Sequence, residues 1–243
     1  MKHFVFCDLD NTIIRHQNRG GIAVVGVNEF GLPSTVMTTE DLEMYHQALE
    51  FGAIIPTTGR SIAEYRRLHG LSFDGWAILN HGATLLYQNQ IDQPWLEQTK
   101  SIIQAMIDTT LQIYHLLLSQ LDLNQITIRL HQEHSLPLYI SVRCPRDQDF
   151  TPLQDFLDLH LQPFTMGAYN LLHTGRISSI IPSAINKKTA VYEVMNRLKL
   201  ESEIKTLGIG DSLTDLPFMQ LCDQQRYPLD SEIQQQINTQ RQP

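Results

Sequence analysis

Hydrophobic and polar positions change rhythm twice along this chain, and the two changes divide it into three stretches. Residues 3–7 (His-Phe-Val-Phe-Cys) are a short apolar run with aromatic and β-branched members, followed by turn-prone polar residues. That is the pattern of a buried parallel strand. The spacing predicts a helix over 39–50, with Thr39 as cap, Glu40 and Asp41 in the first turn, and Leu42, Tyr45 and Leu49 on one face. Gly52 is its expected stop, and 53–55 reads as a second strand running into Pro56-Thr57-Thr58-Gly59-Arg60. Another helix opens at Ser61, with Glu64 in capping-box spacing.

The middle stretch has a different texture. A long helix is expected from 101 to 121, with Ile102, Met106, Ile113 and Leu117 on one side. Residues 125–131 and 136–143 then alternate with period two, carrying Ile126, Ile128 and Leu130 in one run and Leu138, Ile140 and Val142 in the other. Such alternation marks antiparallel strands with one wet face. Thr151-Pro152 is expected to open a helix by cap and first-turn proline chemistry, and strands near 168–173 and 176–181 complete the segment. After Lys187 the first texture returns. Ala190, Val191, Val194, Met195 and Leu198 form a helical stripe, and a strand over 204–209 delivers Gly210-Asp211-Ser212 to its end. The expected fold class is α/β: a doubly wound, Rossmann-like parallel sheet over 1–91 and 183–243, with an α+β module inserted over 92–182. Ligands of such sheets bind beyond the carboxyl ends of the strands. A glutamine-rich tail (residues 234–236, Gln240, Gln242) is expected to fray.

Composition narrows the functional classes. The chain has 243 residues, 42% apolar and 18% charged, which suits a globular core with a smaller insert. No run approaches the ~18 uninterrupted apolar residues of a membrane span, and the N-terminus shows no signal-peptide pattern. Cys7, Cys144 and Cys222 are odd in number and widely spaced, so neither a disulfide frame nor a zinc site is indicated. A cytoplasmic protein, monomeric or a small homo-oligomer, is expected. Net charge is −8 with no basic block, so neither nucleic acid nor a membrane is an expected partner. A small phosphate can still bind such a protein where a metal ion and one lysine supply local positive charge.

Four short motifs share that chemical theme. Asp8-Leu9-Asp10-Asn11-Thr12 puts two carboxylates two residues apart at a strand end, where they point to one side. They repel unless a cation lies between them or one holds a proton; the alternative is a solvated acidic turn. Thr57-Thr58-Gly59-Arg60 offers a hydroxyl and backbone N–H groups before a helix, a phosphate cradle or an ordinary loop. Lys187 opens a helix, where a cation opposes the macrodipole unless an anion faces it; Lys188 is an equal candidate on local grounds. Gly210-Asp211-Ser212-Leu213-Thr214-Asp215 carries carboxylates of the kind that ligate Mg²⁺, or else a capped turn. Each motif is modest by itself. Their joint occurrence, in this order and each after an apolar run, points to phosphoryl chemistry.

On these motifs the chain resembles the haloacid dehalogenase (HAD) superfamily of phosphohydrolases, in the branch with a large α/β cap. That branch includes Cof-like, sucrose-phosphate and mannosylglycerate-phosphate phosphatases. Asn80-His81-Gly82-Ala83 resembles the Asn-Gly-Ala turn that precedes the cap there. The resemblance implies a phosphoric monoester hydrolase with a phosphoaspartyl mechanism and Mg²⁺ as cofactor. Asp8 is the implied nucleophile, and Asp10 the acid and base. Thr58, Gly59 and Lys187 hold phosphate, and Lys187 also neutralises the reacting groups. Asp211 binds metal with Asp8 and the Asp10 backbone carbonyl, and Asp215 orients Lys187 or a metal-bound water. Three departures stand out: Lys188 where relatives often have Gly, Thr214-Asp215 where many have Asn-Asp, and His81 where Asn is common. The implied substrate is a small soluble phosphate ester, such as a sugar phosphate. A phosphomutase-type transferase would use the same groups, as would, less fittingly for this length, a receiver-like signalling module. Arg129, Arg143, His173 and Arg176 of the middle stretch are candidates for reading a leaving group, or plain solvated charges. His131 and His134 are more simply surface residues than metal ligands.

Overall fold

An apolar strand with no wet face needs a neighbour on each side, and Phe4–Cys7 has both. The computed structural model describes residues 2–145, 148–200 and 203–240. In chain order the first elements are β1 (Phe4–Cys7), β2 (Arg15–His16), β3 (Ala23–Val27), β4 (Pro33–Met37) and α1 (Thr39–Phe51). Next are β5 (Ala53–Pro56), α2 (Ile62–Arg66), β6 (Trp76–Leu79), β7 (Thr84–Tyr87) and β8 (Gln90–Ile91). Then come α3 (Gln93–Gln120), β9 (Thr127–Glu133), β10 (Leu136–Arg143), α4 (Thr151–Thr165), β11 (Tyr169–Thr174) and β12 (Ile177–Pro182). The chain closes with α5 (Lys187–Leu198), β13 (Thr206–Ile209), α6 (Leu216–Met219), β14 (Gln224–Arg226) and α7 (Glu232–Gln240). Two compact units result, Met1–Gln93 with Asn186–Pro243 and, inserted between them, Pro94–Ile185.

The discontinuous unit is built on a parallel sheet of order β14-β13-β1-β5. β1 lies inside it, with Phe4 to Cys7 in register with Thr206 to Ile209 on one side and Ala53 to Pro56 on the other. All four β1 residues are buried, as expected of a strand covered on both faces. Val5, Cys7, Ile54, Leu207 and Ile209 pack with Tyr45 and Ala48 of α1 into one core. Because β1, β5 and β13 run the same way, their carboxyl ends deliver Asp8, Thr57-Thr58 and Gly210-Asp211 to a common edge. Two small antiparallel sheets, β2-β4-β3 and β6-β7-β8, complete the unit. The sheet over residues 15–37 was not foreseen: β2 has two residues, and β3 meets β4 through register shifts that break the alternation.

The inserted unit is an antiparallel sheet of order β11-β12-β10-β9 with α3 and α4. Ile140, Val142 and Ile180 of the sheet meet Ile113 and Leu117 of α3 and Leu153, Leu157 and Leu161 of α4 in a second core. No helix among the described residues is long and apolar enough to cross a membrane.

Several local expectations are corrected. The cap of α1 is Thr38, whose hydroxyl accepts from the Asp41 N–H while Asp41 accepts from the Thr38 N–H. The buried face of α1 is accordingly Asp41, Tyr45 and Ala48, and Leu49 is 38% exposed. Helix α3 starts at Gln93, a full two turns before the expected 101, and buries Ile103 in place of Ile102. Thr151 is the first residue of α4 and not its cap, its N–H taken by Asp149 Oδ1 at 3.0 Å. The C-terminal tail forms α7 through Gln240, and Gln242 lies outside the described residues.

Candidate active site

The motif that ends β1 is shaped by its backbone. Leu9 carbonyl accepts from the N–H groups of Thr12, Ile13 and Ile14, and Asn11 sits at φ 62. This tight turn sends Asp8 and Thr12 to one place and Asp10 to another. Asp8 is 6% exposed. Its Oδ1 accepts from Lys187 Nζ at 2.5 Å and its Oδ2 from Thr12 Oγ1 at 3.0 Å. Thr12 Oγ1 also lies 3.1 Å from Asp211 Oδ1, so one hydroxyl bridges the two carboxylates. Lys187 Nζ donates to Asp215 Oδ1 at 2.7 Å, while Asp215 Oδ2 accepts from the Ser212 N–H at 3.2 Å and hydroxyl at 3.1 Å. Gly210 permits this packing, because a Cβ there would lie 2.5 Å from Asp215 Cβ.

Lysine 187 is the first residue of α5, after the cap Asn186. The two anions it faces offset its unfavourable position at a helix N-terminus. Burial pushes its pKa down, but Asp215 and Asp8 outweigh that and hold it above the ordinary lysine value. Lys188 is exposed. Geometry therefore separates two lysines that local sequence left equal.

Carboxylate oxygens of Asp8, Asp211 and Asp215 all lie within 4.8 Å of one another. Three carboxylates around one ammonium leave surplus negative charge, and the acidities of Asp8 and Asp211 are shifted. Burial, then the Asp215 charge, raises the Asp211 carboxyl to about 6. Burial raises that of Asp8 as well, against the pull of Lys187. Closely spaced oxygen donors carrying net negative charge, with acidities shifted against ionisation, fit a hard divalent cation such as Mg²⁺. The Asp10 side chain is not part of this cluster. Arg60 holds it in a two-pronged ion pair, Nε to Oδ2 at 2.7 Å and Nη2 to Oδ1 at 2.6 Å.

Thr58 follows β5 and is 1% exposed. Its N–H donates to Ile78 carbonyl at 2.9 Å and its Oγ1 accepts from the Arg60 N–H at 3.2 Å, which leaves the hydroxyl proton to donate. Ser61 and Glu64 form the expected capping box on α2. Sequence reasoning had no role for Arg60, for the bridging Thr12 or for Ser212. Each stands inside a motif already singled out, so position was the available signal. Of the groups considered in the inserted unit, Arg176 of the β11–β12 turn ties down the β10–α4 loop through the Pro145 and Gln148 carbonyls, and His173 bonds Ser178 at 2.7 Å. His131 stacks on Tyr139 with ring centroids 4.2 Å apart, and His134 sits in the β9–β10 turn at φ 51.

No family model and no curated protein matches this chain in sequence. Solved structures do match. The sucrose-phosphatase of Synechocystis sp. PCC6803, solved with sucrose and phosphate, aligns over 100% of this chain and 88% of its own at 17% identity and a TM-score of 0.64. Protein 0175 of Thermoplasma acidophilum aligns over 98% and 89% at 15% identity and a TM-score of 0.58. A sugar phosphatase of HAD subclass IIB aligns over 98% and 99% at 10% identity and a TM-score of 0.52. At these identities the likeness is one of fold, shared by this chain and these solved structures.

Proposed function

We propose that this chain is a Mg²⁺-dependent phosphatase that hydrolyses a small phosphate monoester through a phosphoaspartyl intermediate on Asp8. The observation that carries the reading is the joining of Asp8, Thr12, Lys187, Asp211 and Asp215 into one hydrogen-bonded cluster at the carboxyl edge of the parallel sheet. Phosphoryl transfer asks mainly for positioning and charge neutralisation, and this cluster supplies both.

In the first half-reaction an Asp8 carboxylate oxygen attacks phosphorus, and the bond from phosphorus to the ester oxygen breaks. Asp10 gives its proton to that oxygen, which departs as an alcohol. In the second half-reaction Asp10 takes a proton from a water that attacks the aspartyl phosphate, releasing inorganic phosphate and restoring Asp8. Lys187 pulls Asp8 toward its ionised form and balances charge on the transferring group, and the Thr58 hydroxyl donates to a phosphoryl oxygen. Asp8, Asp211 and the Asp10 carbonyl are the groups to hold Mg²⁺, with Asp215 beside them; the ion supplies charge neutralisation at the phosphoryl oxygens. Both Asp10 carboxylate oxygens are engaged by Arg60, so Asp10 must leave that pair to reach the leaving oxygen. The inserted unit, Pro94–Ile185, contributes none of these groups, and we assign it the selection of the leaving group. The test is phosphate release from a panel of metabolite phosphate esters with Mg²⁺, run beside Asp8→Asn. Wild type is expected to release phosphate from at least one ester and the variant to lose on the order of 10³-fold or more in rate. Equal rates would refute the mechanism.

A further inference from the structure

The turn after β6 is under backbone strain that the mechanism above does not use. Asn80, His81 and Gly82 all lie in the left-handed region, at φ 52, 58 and 103. Glycine goes there freely, whereas residues with a Cβ resist it. Strain of this kind persists only where surrounding contacts over-determine it, and here they do. Thr58-Gly59-Arg60 is gripped along its backbone: Thr58 N–H donates to Ile78 carbonyl at 2.9 Å, Asn80 N–H to Arg60 carbonyl at 2.8 Å, and His81 N–H to Thr58 carbonyl at 3.1 Å. Asn80 itself is buried, its Nδ2 donating to Thr84 Oγ1 at 3.0 Å.

Two close approaches fasten the turn to both halves of the candidate site. The His81 imidazole lies directly on Gly59, where a Cβ would be 2.4 Å from His81 Cε1 and 2.6 Å from Nε2. Gly82 touches the backbone before α5, where its Cβ would lie 2.4 Å from the Asn186 carbonyl oxygen. Asn186 caps the helix that begins with Lys187. One strained turn therefore abuts the loop that presents the Thr58 hydroxyl and the cap that presents the Lys187 amine, two groups far apart in sequence.

We infer that Asn80-His81-Gly82 is a positioning element that sets the spacing between Thr58 and Lys187, with the His81 ring as the wedge that holds the Thr58-Gly59-Arg60 loop in place. This rests on the phosphatase reading. His81 acts through Gly59 and is a positioning residue. Its removal should weaken the grip on phosphate without unfolding the protein.

The experiment measures competitive inhibition by inorganic phosphate of p-nitrophenyl phosphate hydrolysis with Mg²⁺. His81→Gly removes the ring and keeps a backbone at ease at positive φ. The inhibition constant and KM are expected to rise about tenfold, with kcat falling less and Tm within a few degrees of wild type. Gly59 is not itself left-handed, so the ring, and not the backbone, resists a side chain there. Gly59→Ala should thus be the more damaging single change, and Gly59→Ala combined with His81→Gly should recover to the level of His81→Gly alone. A double variant as poor as the product of the two singles overturns the inference. So does an active wild type whose phosphate constant survives His81→Gly within twofold, even if Tm falls, because that is the mark of a turn that only fills space. A wild type that neither hydrolyses esters nor binds phosphate removes the phosphatase reading, and the inference goes with it.

Discussion

Arg15 is buried and Lys187 nearly so, and each is a cation set between two carboxylates. Arg15 directs Nε to Asp41 at 2.9 Å and its two terminal nitrogens to Asp230 at 2.7 and 3.2 Å. The fork uses its donors in fixed directions, Asp41 also closes the α1 cap, and the Asp230 side chain is 60% exposed, so water carries the remaining charge. Lys187 faces Asp8 and Asp215, which are almost fully buried, and a third carboxylate, Asp211, leans on the same group through Thr12. The first cluster leaves one surplus negative charge, on the side of the water-exposed Asp230; the second leaves two, on carboxylates that are buried or half-buried. Buried ion pairs are weak evidence for function when every member is satisfied. A surplus of buried charge is stronger evidence, because some further cation or substrate must be bound for it to persist.

Exchanging the roles of the two cations in experiment is the severest way to break this contrast. Lys187→Met should lower kcat by about 10²- to 10³-fold, while Arg15→Met should leave kcat per folded molecule within about threefold. Steady-state assays on both variants decide it, and comparable losses would erase the distinction. Stability should run the other way. Arg15→Met orphans the buried Asp41 and should cost about 3 kcal/mol in urea unfolding.

Metal is the next discriminator. Mg²⁺ at 100 times its Kd should stabilise the wild type by about 2.7 kcal/mol, read as a rise in Tm. Asp211→Asn should abolish that rise and Arg15→Met should keep it. The smallest effect concerns pH in chelator. The folded Asp211 carboxyl is raised to about 6 from an unfolded value of 3.8, so between these values the native state binds more protons and its stability falls as pH rises. This contribution is present below about pH 4 and lost through about pH 6. Asp211→Asn should therefore be the more stable protein at pH 7 without metal, by about 1 kcal/mol after allowance for solvent screening. Parallel pH profiles for the two proteins would contradict the surplus-charge account.

What could be read from the sequence divides along the same line. The β1 run, the Ser61 and Glu64 capping box, and the alternating strands of the inserted unit are local patterns, and each appears in the structure. Thr38 and Thr39 are both competent caps in one dimension, and only the Asp41 hydrogen bonds choose between them. The sheet of residues 15–37 escaped notice because β2 has only two residues, register shifts interrupt the pairing of β3 with β4, and the apolar Val24 of β3 is 46% exposed. In the site, motif spacing pointed to Asp8, Asp10, Thr58, Lys187, Asp211 and Asp215, and the structure gathers Asp8, Lys187, Asp211 and Asp215 into one cluster. The Arg60 clamp on Asp10 spans 50 residues and the Arg15 clamp on Asp230 spans 215. Pairings over such distances leave no periodic trace, since nothing in the intervening chain has to change to accommodate them.

The flanking of β1 by β5 and β13 has a consequence for the chain during its own synthesis. Asp8 emerges early, yet the amine that holds it belongs to a residue 179 positions later, and the β13 partner strand comes later still. Contacts this distant form late, because loop closure must precede them. A nascent chain that ends just before residue 211 holds every residue of the inserted unit, but its Asp8 is without Asp211 and Asp215. Recovery of phosphate release on refolding would thus report the final closure of the sheet, which spectroscopic probes of the inserted unit would not see.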